Sequence, residues 1–133
     1  MTRGLRNNNP LNIRHGKSQW MGMSEKQTDK AFVQFTALVY GYRAAFVLLR
    51  NYIQKNKANT IGKIIARWAP SSDGNNTQGY IKYVSATTEI DANEVLRFED
   101  RGKMVEIVRS MAHMESGIIE DKDIIEKAYD MVK

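Results

Sequence analysis

A series of capped, amphipathic segments after residue 35 is the feature that most constrains the fold of this chain. The clearest segment has four apolar residues at the i, i+3, i+4 and i+7 spacing of one helix face: Ile61, Ile64, Ile65 and Trp68. Further helices are predicted over residues 36–56, from Asn76 or Thr77, over 91–98, over 100–117 and from Asp121 onward. The pattern therefore predicts a mainly α fold with about six helices.

The same segments carry predicted start and stop signals. Thr36 and Thr60 are predicted N-caps of the first two helices. Asp91 with Glu94 three residues later is the pattern of a capping box. Gly117 is predicted to end the helix over 100–117.

The first thirty residues show turn chemistry instead of a helical period. They contain three consecutive asparagines, Pro10 and several glycines. Apolar residues interrupt the polar ones and can anchor the segment, so we expect it to be ordered: Leu5, Leu11, Ile13, Trp20 and Met21. Residues 31–35 predict a short strand, and hence a small β-hairpin near residues 13–35. The 133 residues show no repeat and no linker, so one domain is predicted over residues 1–133.

Composition excludes several classes of function. With no cysteine there is no thiol catalysis, cysteine-ligated zinc or iron–sulfur cluster. Two histidines make a histidine-rich metal site a poor expectation, so we expect no metal and no cofactor. No apolar run is long enough to span a membrane. The N-terminal residues lack a signal segment, so we expect the protein to remain in the cytoplasm where it is made, or to leave by a route without a signal.

The charge is divided unevenly along the chain. Residues 1–70 carry twelve Lys and Arg against two acids, a net +10, and residues 71–133 carry eight against thirteen, a net −5. Such asymmetry is typical of a face that binds a polyanion. Nucleic acid and bacterial cell wall both qualify, and the alternative is that the two halves pair their charges where they meet.

Glu115 is the acid whose position is most informative. It continues an apolar stripe of the helix over 100–117, so its carboxyl group is expected on the buried side at the C-terminal end. Burial and the negative end of the helix dipole both raise a carboxyl pKa, which suits a general acid. The alternative is that the helix frays and Glu115 reaches water or pairs with an arginine.

Other candidates lie in the basic half. The segment from Arg6 to Arg14 is dense in amide and guanidinium groups, which suit sugar hydroxyl and acetamido groups, or else hold local turns. Asp29 could be a second catalytic carboxylate, or could pair with a nearby arginine. Trp20 lies in a loop and is open to a ligand role, whereas Trp68 is expected in the core.

The sequence resembles a family of small phage and prophage proteins that are often named only virion or structural proteins. The resemblance rests on RGLRNNNPLNIRHG at residues 3–16 and RWAP at residues 67–70, and it extends over about residues 3–85. It implies a phage virion protein with other virion proteins as partners.

A more distant resemblance concerns mechanism. The order Asn9 to Arg14, Trp20 to Gly22, Phe32 to Phe35, a long helix and Tyr80 is similar to that in lysozyme-like N-acetylglucosaminidases. Their catalytic glutamate precedes the asparagine segment, in a helix that ends in a sequence like ALESG. Here the similar MAHMESG lies at residues 111–117, which implies a circularly permuted lysozyme-like domain.

The resulting hypothesis is cleavage of peptidoglycan glycan strands at the cell wall. Glu115 is the predicted acid and Asp29 the only second acid named. The residues predicted to bind the glycan share the amide and aromatic chemistry described above: Arg6, Asn9, Asn12, Arg14, Trp20 and Tyr80. The alternative is a non-catalytic virion structural or cell-wall-binding protein. Nucleic-acid binding by the basic half is the weakest interpretation, and nucleic acid is not the expected partner.

Overall fold

The computed structural model describes residues 1–132 and contains six α-helices within them. Helix α1 is short, and a single 3₁₀ turn over Ser71–Asp73 lies between α3 and α4. The helices are α1 Arg3–Arg6, α2 Leu38–Lys55, α3 Ile61–Trp68, α4 Thr77–Thr88, α5 Arg101–Ser116 and α6 Lys122–Asp130. The protein is mainly α, as predicted.

The apolar stripes of these helices meet in one connected core. Helix α5 lies at its centre, where it packs against α4 on one side and α6 on another. Its predicted stripe is completely buried: Met104, Ile107, Val108 and Met111. Helix α2 packs mainly against α6, and α3 packs mainly against α4. Helices α1 and α2 also pack against α5, so several elements together position the residues that end it.

The segment before α2 is ordered by asparagine side chains. Asn9 is fully buried; its Nδ2 donates to the carbonyls of Ile13 and Val33, and its Oδ1 accepts from the Ile13 N–H. Asn8 and Asn12 have left-handed backbone conformations, with φ of 53° and 54°. Asparagine tolerates that conformation and supplies both donors and acceptors, which explains its density here.

Several predicted caps are confirmed. The side chains of Thr60, Asn76, Asp100 and Asp121 accept backbone N–H bonds at the starts of α3, α4, α5 and α6. Gly117 ends α5 in the left-handed conformation, with φ of 71°. Thr36 was wrong as a cap: α2 begins after Ala37, and the Thr36 hydroxyl donates to the Gly22 carbonyl.

Two other predictions were wrong in part. Residues 91–98 form turns and extended backbone instead of a helix, because the Asp91 side chain accepts from the Asn93 N–H and the Leu96 N–H pairs with Asn59. The predicted hairpin is reduced to two isolated antiparallel bridges, which join residue 14 to 32 and residue 23 to 35. Within residues 1–132, no helix has the length and hydrophobicity needed to span a membrane.

Candidate functional site

Glu115 lies in the last turn of α5, one residue before the helix ends. The helix stops there because Gly117 adopts a left-handed conformation and its N–H bonds to the His113 carbonyl. The Glu115 side chain is half-buried and therefore does not extend freely into water. The alternative in which the end of α5 frays and Glu115 reaches water is therefore wrong.

The end of α5 is tied to the N-terminal segment. The Ser116 hydroxyl donates to the Pro10 carbonyl at 2.6 Å, and the Thr2 hydroxyl donates to the Ser116 carbonyl at 3.0 Å. Gly4 faces the Ser116 hydroxyl so closely that a Cβ there would clash with it. The end of α5 therefore packs beside residues 6–14, about a hundred residues away in sequence.

Two neutral hydrogen-bond donors hold the Glu115 carboxyl group. Asn12 Nδ2 lies 3.3 Å from Oε1 and 3.2 Å from the Glu115 backbone carbonyl, and the Tyr80 hydroxyl lies 3.0 Å from Oε2. Asn12 comes from the N-terminal segment and Tyr80 from α4. Three separate elements therefore meet at one carboxyl group, and its orientation is fixed.

Burial raises the pKa of Glu115 above its ordinary value. Hydrogen bonds from Asn12, Tyr80 and Trp68, and the positive charge of Arg14, act in the opposite direction and only partly offset it. Burial also raises the pKa of Tyr80, so its hydroxyl remains a proton donor toward Glu115. A raised pKa favours the protonated form of a carboxyl group, which is the form that a general acid requires.

Glu115 stands where two surface pockets adjoin. The first, which we call the arginine pocket, has a volume of about 400 Å³ and is walled by Arg14, Phe32, Tyr52 and Trp68. The second, the tyrosine pocket, has a volume of about 460 Å³, and Tyr80 and Tyr83 line it. Both pockets include Glu115 and Asn75, so a linear ligand could extend past the carboxyl group on both sides.

Two residues of these pockets carry no clear signal in the sequence: Asp73 and Asn75, which reach the arginine pocket from the loop after α3. Tyr83, for which the sequence leaves open sugar stacking or the core, lines the tyrosine pocket from α4. Tyr83 also hydrogen-bonds His113 on α5. The polar run SSDGNN at residues 71–76 has the composition of a loop, and nothing in its pattern indicates which of its side chains face Glu115.

The predicted site residues divide into two groups. Asn12, Arg14 and Tyr80 line the pockets beside Glu115, and their role in binding a glycan stays a prediction. Asn9 is fully buried and its amide is hydrogen-bonded to the backbone. It therefore holds the local turn, which was the alternative to glycan binding, and has no free group for a ligand. Arg6 and Trp20 are not among the residues that line either pocket, and Trp68 contributes both to core packing and to the pocket wall.

Asp29 is engaged in structural contacts away from Glu115. Its carboxylate binds the Arg3 guanidinium through both oxygens, at 2.6 and 2.7 Å, and accepts from Asn7 and from the backbone N–H groups of Ala31 and Phe32. The Arg3 contact and the other hydrogen bonds hold the pKa of Asp29 well below its usual range. The pairing alternative therefore describes Asp29, and it lines neither pocket.

The ion pairs between described residues do not join the two differently charged halves. The basic half contains the pair between Arg3 and Asp29, and the others lie within residues 94–130. Every ion pair between described residues therefore stays inside one half. The described residues also include no group of three or more His, Asp or Glu side chains placed to hold a metal ion.

Comparison with known proteins identifies a phage relative. The sequence matches no family model. It is 42% identical over 118 residues to Protein P5 of Pseudoalteromonas phage PM2, and the alignment covers 86% of this chain and 71% of that protein. Identity at this level over most of both chains confirms the expectation of a phage protein. The chain belongs to the family of Protein P5 of phage PM2.

Proposed function

We propose that the protein is a phage virion protein that cleaves the glycan strands of bacterial peptidoglycan, with Glu115 as the acid. The observation that carries this proposal is the position of Glu115: a half-buried carboxyl group with a raised pKa, held by Asn12 and Tyr80 at the junction of two pockets. A sugar in each pocket would bring the glycosidic bond between them to that carboxyl group.

The proposed chemistry needs one proton donor at the leaving oxygen. Glu115 donates its proton to the glycosidic oxygen as the bond from that oxygen to the anomeric carbon breaks. The oxocarbenium-like centre is then attacked by water, or by a hydroxyl or acetamido oxygen of the same sugar. The Glu115 carboxylate takes up the proton that a water or hydroxyl nucleophile releases; after attack by the acetamido oxygen, that proton comes from the water that opens the resulting oxazolinium ring. Asn12 and Tyr80 orient the carboxyl group in both steps.

A second candidate is a non-catalytic virion structural or wall-binding protein. The relationship to Protein P5 of phage PM2 favours it, because a phage origin fits a virion component. Among the described residues that line the two pockets, Asp73 is the only acid besides Glu115. A mechanism with two carboxylates would therefore have to use Asp73. In this case the pockets would bind glycan without cleaving it.

The lysozyme-like fold and its circular permutation are part of the proposal. The contacts that support them are those from Thr2 and Pro10 to Ser116, because they bring the asparagine segment to the end of the glutamate helix. In an unpermuted relative these two segments would follow each other directly along the chain. Superposition of an experimental structure on a lysozyme-like glucosaminidase, with the chain order ignored, tests the idea. Failure to align α5 with the catalytic helix would refute it.

Glu115→Gln tests the catalytic proposal. The wild type should release soluble fragments from peptidoglycan, and the substitution should lower the rate by about 10²–10⁴-fold, since glutamine keeps the size of the side chain but cannot donate an acid proton. The matched control is Glu25→Gln, the same chemical change at an exposed residue. The test measures fragment release from purified sacculi of several wall types.

The outcomes separate the two candidates. Normal cleavage by the Glu115→Gln protein would exclude Glu115 as the acid. Binding of the wild type to sacculi without any release of fragments would favour the wall-binding virion protein. Thermal unfolding of both variants shows whether any loss of activity is a loss of folding.

A further inference from the structure

Two arginines stack on the same phenylalanine but differ in how far they are neutralised. The Arg3 and Arg14 guanidinium carbons lie 4.6 and 5.0 Å from the centroid of the Phe32 ring. Arg3 is bound through two hydrogen bonds to Asp29. Arg14 makes no ion pair and no side-chain hydrogen bond with any described residue, and it is exposed. Its hydrogen-bonding capacity is therefore available to a ligand.

The backbone fixes the place of Arg14. It sits at the bridge to Phe32, flanked by hydrogen bonds from the Val33 N–H to Ile13 and from the His15 N–H to Ala31. Its side chain lines the arginine pocket together with Glu115. Stacking on Phe32 limits the positions that the guanidinium can adopt, so less freedom is lost when it binds.

The two pockets differ in charge. Among the described residues that line the arginine pocket, Arg14 is the only cation, and Asp73 and Glu115 are the acids. The tyrosine pocket has no charged residue other than Glu115 in the part of its lining that the structure describes. Because burial favours the uncharged form of Glu115, that group offsets Arg14 less than an ordinary carboxylate would. The charged side chains other than Glu115 are thus confined to the arginine pocket, and Arg14 is the one side chain there that can pair with an anionic group, in spite of the carboxylate of Asp73.

We propose that Arg14 binds a carboxylate of the glycan and thereby selects peptidoglycan over neutral glycans such as chitin. The inference rests on the proposed glycan-binding function and specifies its substrate. The sugar in the arginine pocket would be the one that bears the carboxylate, and the sugar in the tyrosine pocket would be plain N-acetylglucosamine. Guanidinium recognises carboxylate through paired, charge-assisted hydrogen bonds.

Peptidoglycan offers two sources of that carboxylate. One is the lactyl group of N-acetylmuramic acid in peptide-free strands, and the other is the stem peptide attached to that group. The chemistry at Arg14 is the same for both. Peptide-free and peptide-bearing strands of equal length distinguish them, because only the first presents a free lactyl carboxylate.

Equilibrium binding to matched ligands tests the proposal. The protein with Glu115→Gln is used as the background so that no ligand is consumed. The ligands are peptide-free strands, the same strands with their carboxyl groups reduced to alcohols, peptide-bearing strands, and N-acetylglucosamine oligomers of the same length. We expect a preference of about ten-fold or more for a carboxylate-bearing strand over its reduced form, as a charge-assisted hydrogen bond provides.

Substitutions at position 14 should remove that preference selectively. Arg14→Gln is expected to bind the carboxylate-bearing and reduced strands equally, and Arg14→Lys to keep part of the difference, since it keeps the charge but loses the paired geometry. Arg97→Gln is the matched control: Arg97 is exposed, lines neither pocket and should retain the full preference.

Each outcome decides the matter. A preference that persists in Arg14→Gln, or its absence in the protein that keeps Arg14, overturns the role of Arg14 but leaves the proposed glycan cleavage intact. No binding to any of the glycans overturns both. Loss of the preference in Arg14→Gln, in a protein whose Glu115 proves dispensable, supports Arg14 and rejects the catalytic proposal.

Discussion

At the scale of single residues, Glu115 illustrates how a helix end creates a reactive group. Its place on the apolar stripe of α5 takes it away from water, while Gly117 ends the helix and leaves one side of the carboxyl group facing the pockets. Burial favours the protonated form of the carboxyl group and raises its pKa. The hydrogen bonds of Asn12 and Tyr80 stabilise the charged form and limit that effect.

The raised pKa of Glu115 predicts how stability depends on pH. Below the unfolded carboxyl pKa of about 4.3, both states are protonated and the group has no effect on the pH dependence. As pH rises toward the higher folded pKa, the unfolded chain releases its proton first, so the wild type loses stability. The Glu115→Gln variant lacks this loss. Urea unfolding at about pH 4 and about pH 8 should therefore show this variant gaining stability relative to the wild type as pH rises.

Glu25→Gln serves as the control for this measurement because Glu25 is exposed. It should show little change in relative stability between the two pH values. A constant difference between the Glu115→Gln variant and the wild type across the range would mean that the folded pKa of Glu115 is ordinary.

The residue scale also shows what a sequence can and cannot reveal. The position of Glu115 on the buried side of α5 could be predicted from the sequence, because the apolar residues before it have the helical period. That period determines which side chains face the core. Asn9 and Arg6 belong to the same motif as Asn12, yet only Asn12 reaches Glu115. The difference arises from local turns and left-handed residues, whose directions depend on tertiary contacts and not on spacing.

At the scale of elements, the site depends on a close approach between α2 and the segment that carries Asn12. A Cβ on Gly41, within α2, would clash with the Asn8 carbonyl and lie 2.8 Å from Pro10 Cδ. Glycine lets the helix backbone pass directly beneath the asparagine turn. The position of Asn12 beside Glu115 thus depends on a glycine in α2, the helix that also places Tyr52 in the wall of the arginine pocket.

Gly41→Ala should therefore destabilise the protein by about 1–3 kcal/mol, since the obstacle is backbone and cannot rotate away. The matched control is Gly102→Ala in the first turn of α5, where the nearest atom to a new Cβ is Asp100 Oδ1 at 4.0 Å. That change should raise stability by up to about 1 kcal/mol, because alanine is the better helix former. Chemical denaturation measures both, and equal effects would contradict the close approach.

Elements with local signals were the ones that could be predicted. The caps of α3, α5 and α6 act through side chains within three residues, so their sequences are sufficient. Residues 91–98 carry a similar signal but do not form a helix, because Leu96 and Phe98 are buried in the core and the Leu96 N–H pairs with Asn59. Helix α1 has only four residues, which is too short to show a period.

At the scale of the whole molecule, the N-terminal segment and the end of α5 complete each other. Thr2, Pro10 and Asn12 all bond to residues 115 and 116, so neither segment alone would form the site. Contacts between residues about a hundred positions apart cannot be predicted from hydrophobic periodicity or helix propensity. In the sequence, only the displaced MAHMESG segment suggested contacts between the N-terminal segment and the end of α5. The hydrogen bonds to residues 115 and 116 show that the two segments are in contact.

The charge distribution of the molecule adds a long-range contribution to this local site. Since the ion pairs between described residues do not cross from one half to the other, much of the positive charge of residues 1–70 is unpaired by the acidic half. Arg14 belongs to that half and connects it to the pockets. A polyanion would thus be attracted by the basic half in general and held at Arg14 in particular.

Salt dependence should distinguish a cell-wall partner from nucleic acid. Binding to duplex DNA would rest on phosphate neutralisation alone and should fall steeply with ionic strength, by about 10³-fold or more between about 50 and 200 mM salt for a protein that makes several phosphate contacts. Binding to peptidoglycan sacculi should fall less, because the pockets on both sides of Glu115 also contact uncharged parts of the sugars. Co-sedimentation with sacculi and a fluorescence titration with labelled DNA, performed over the same salt series, measure the two slopes. DNA binding that persists at the higher salt while sacculi binding is lost would make nucleic acid the partner of the basic half.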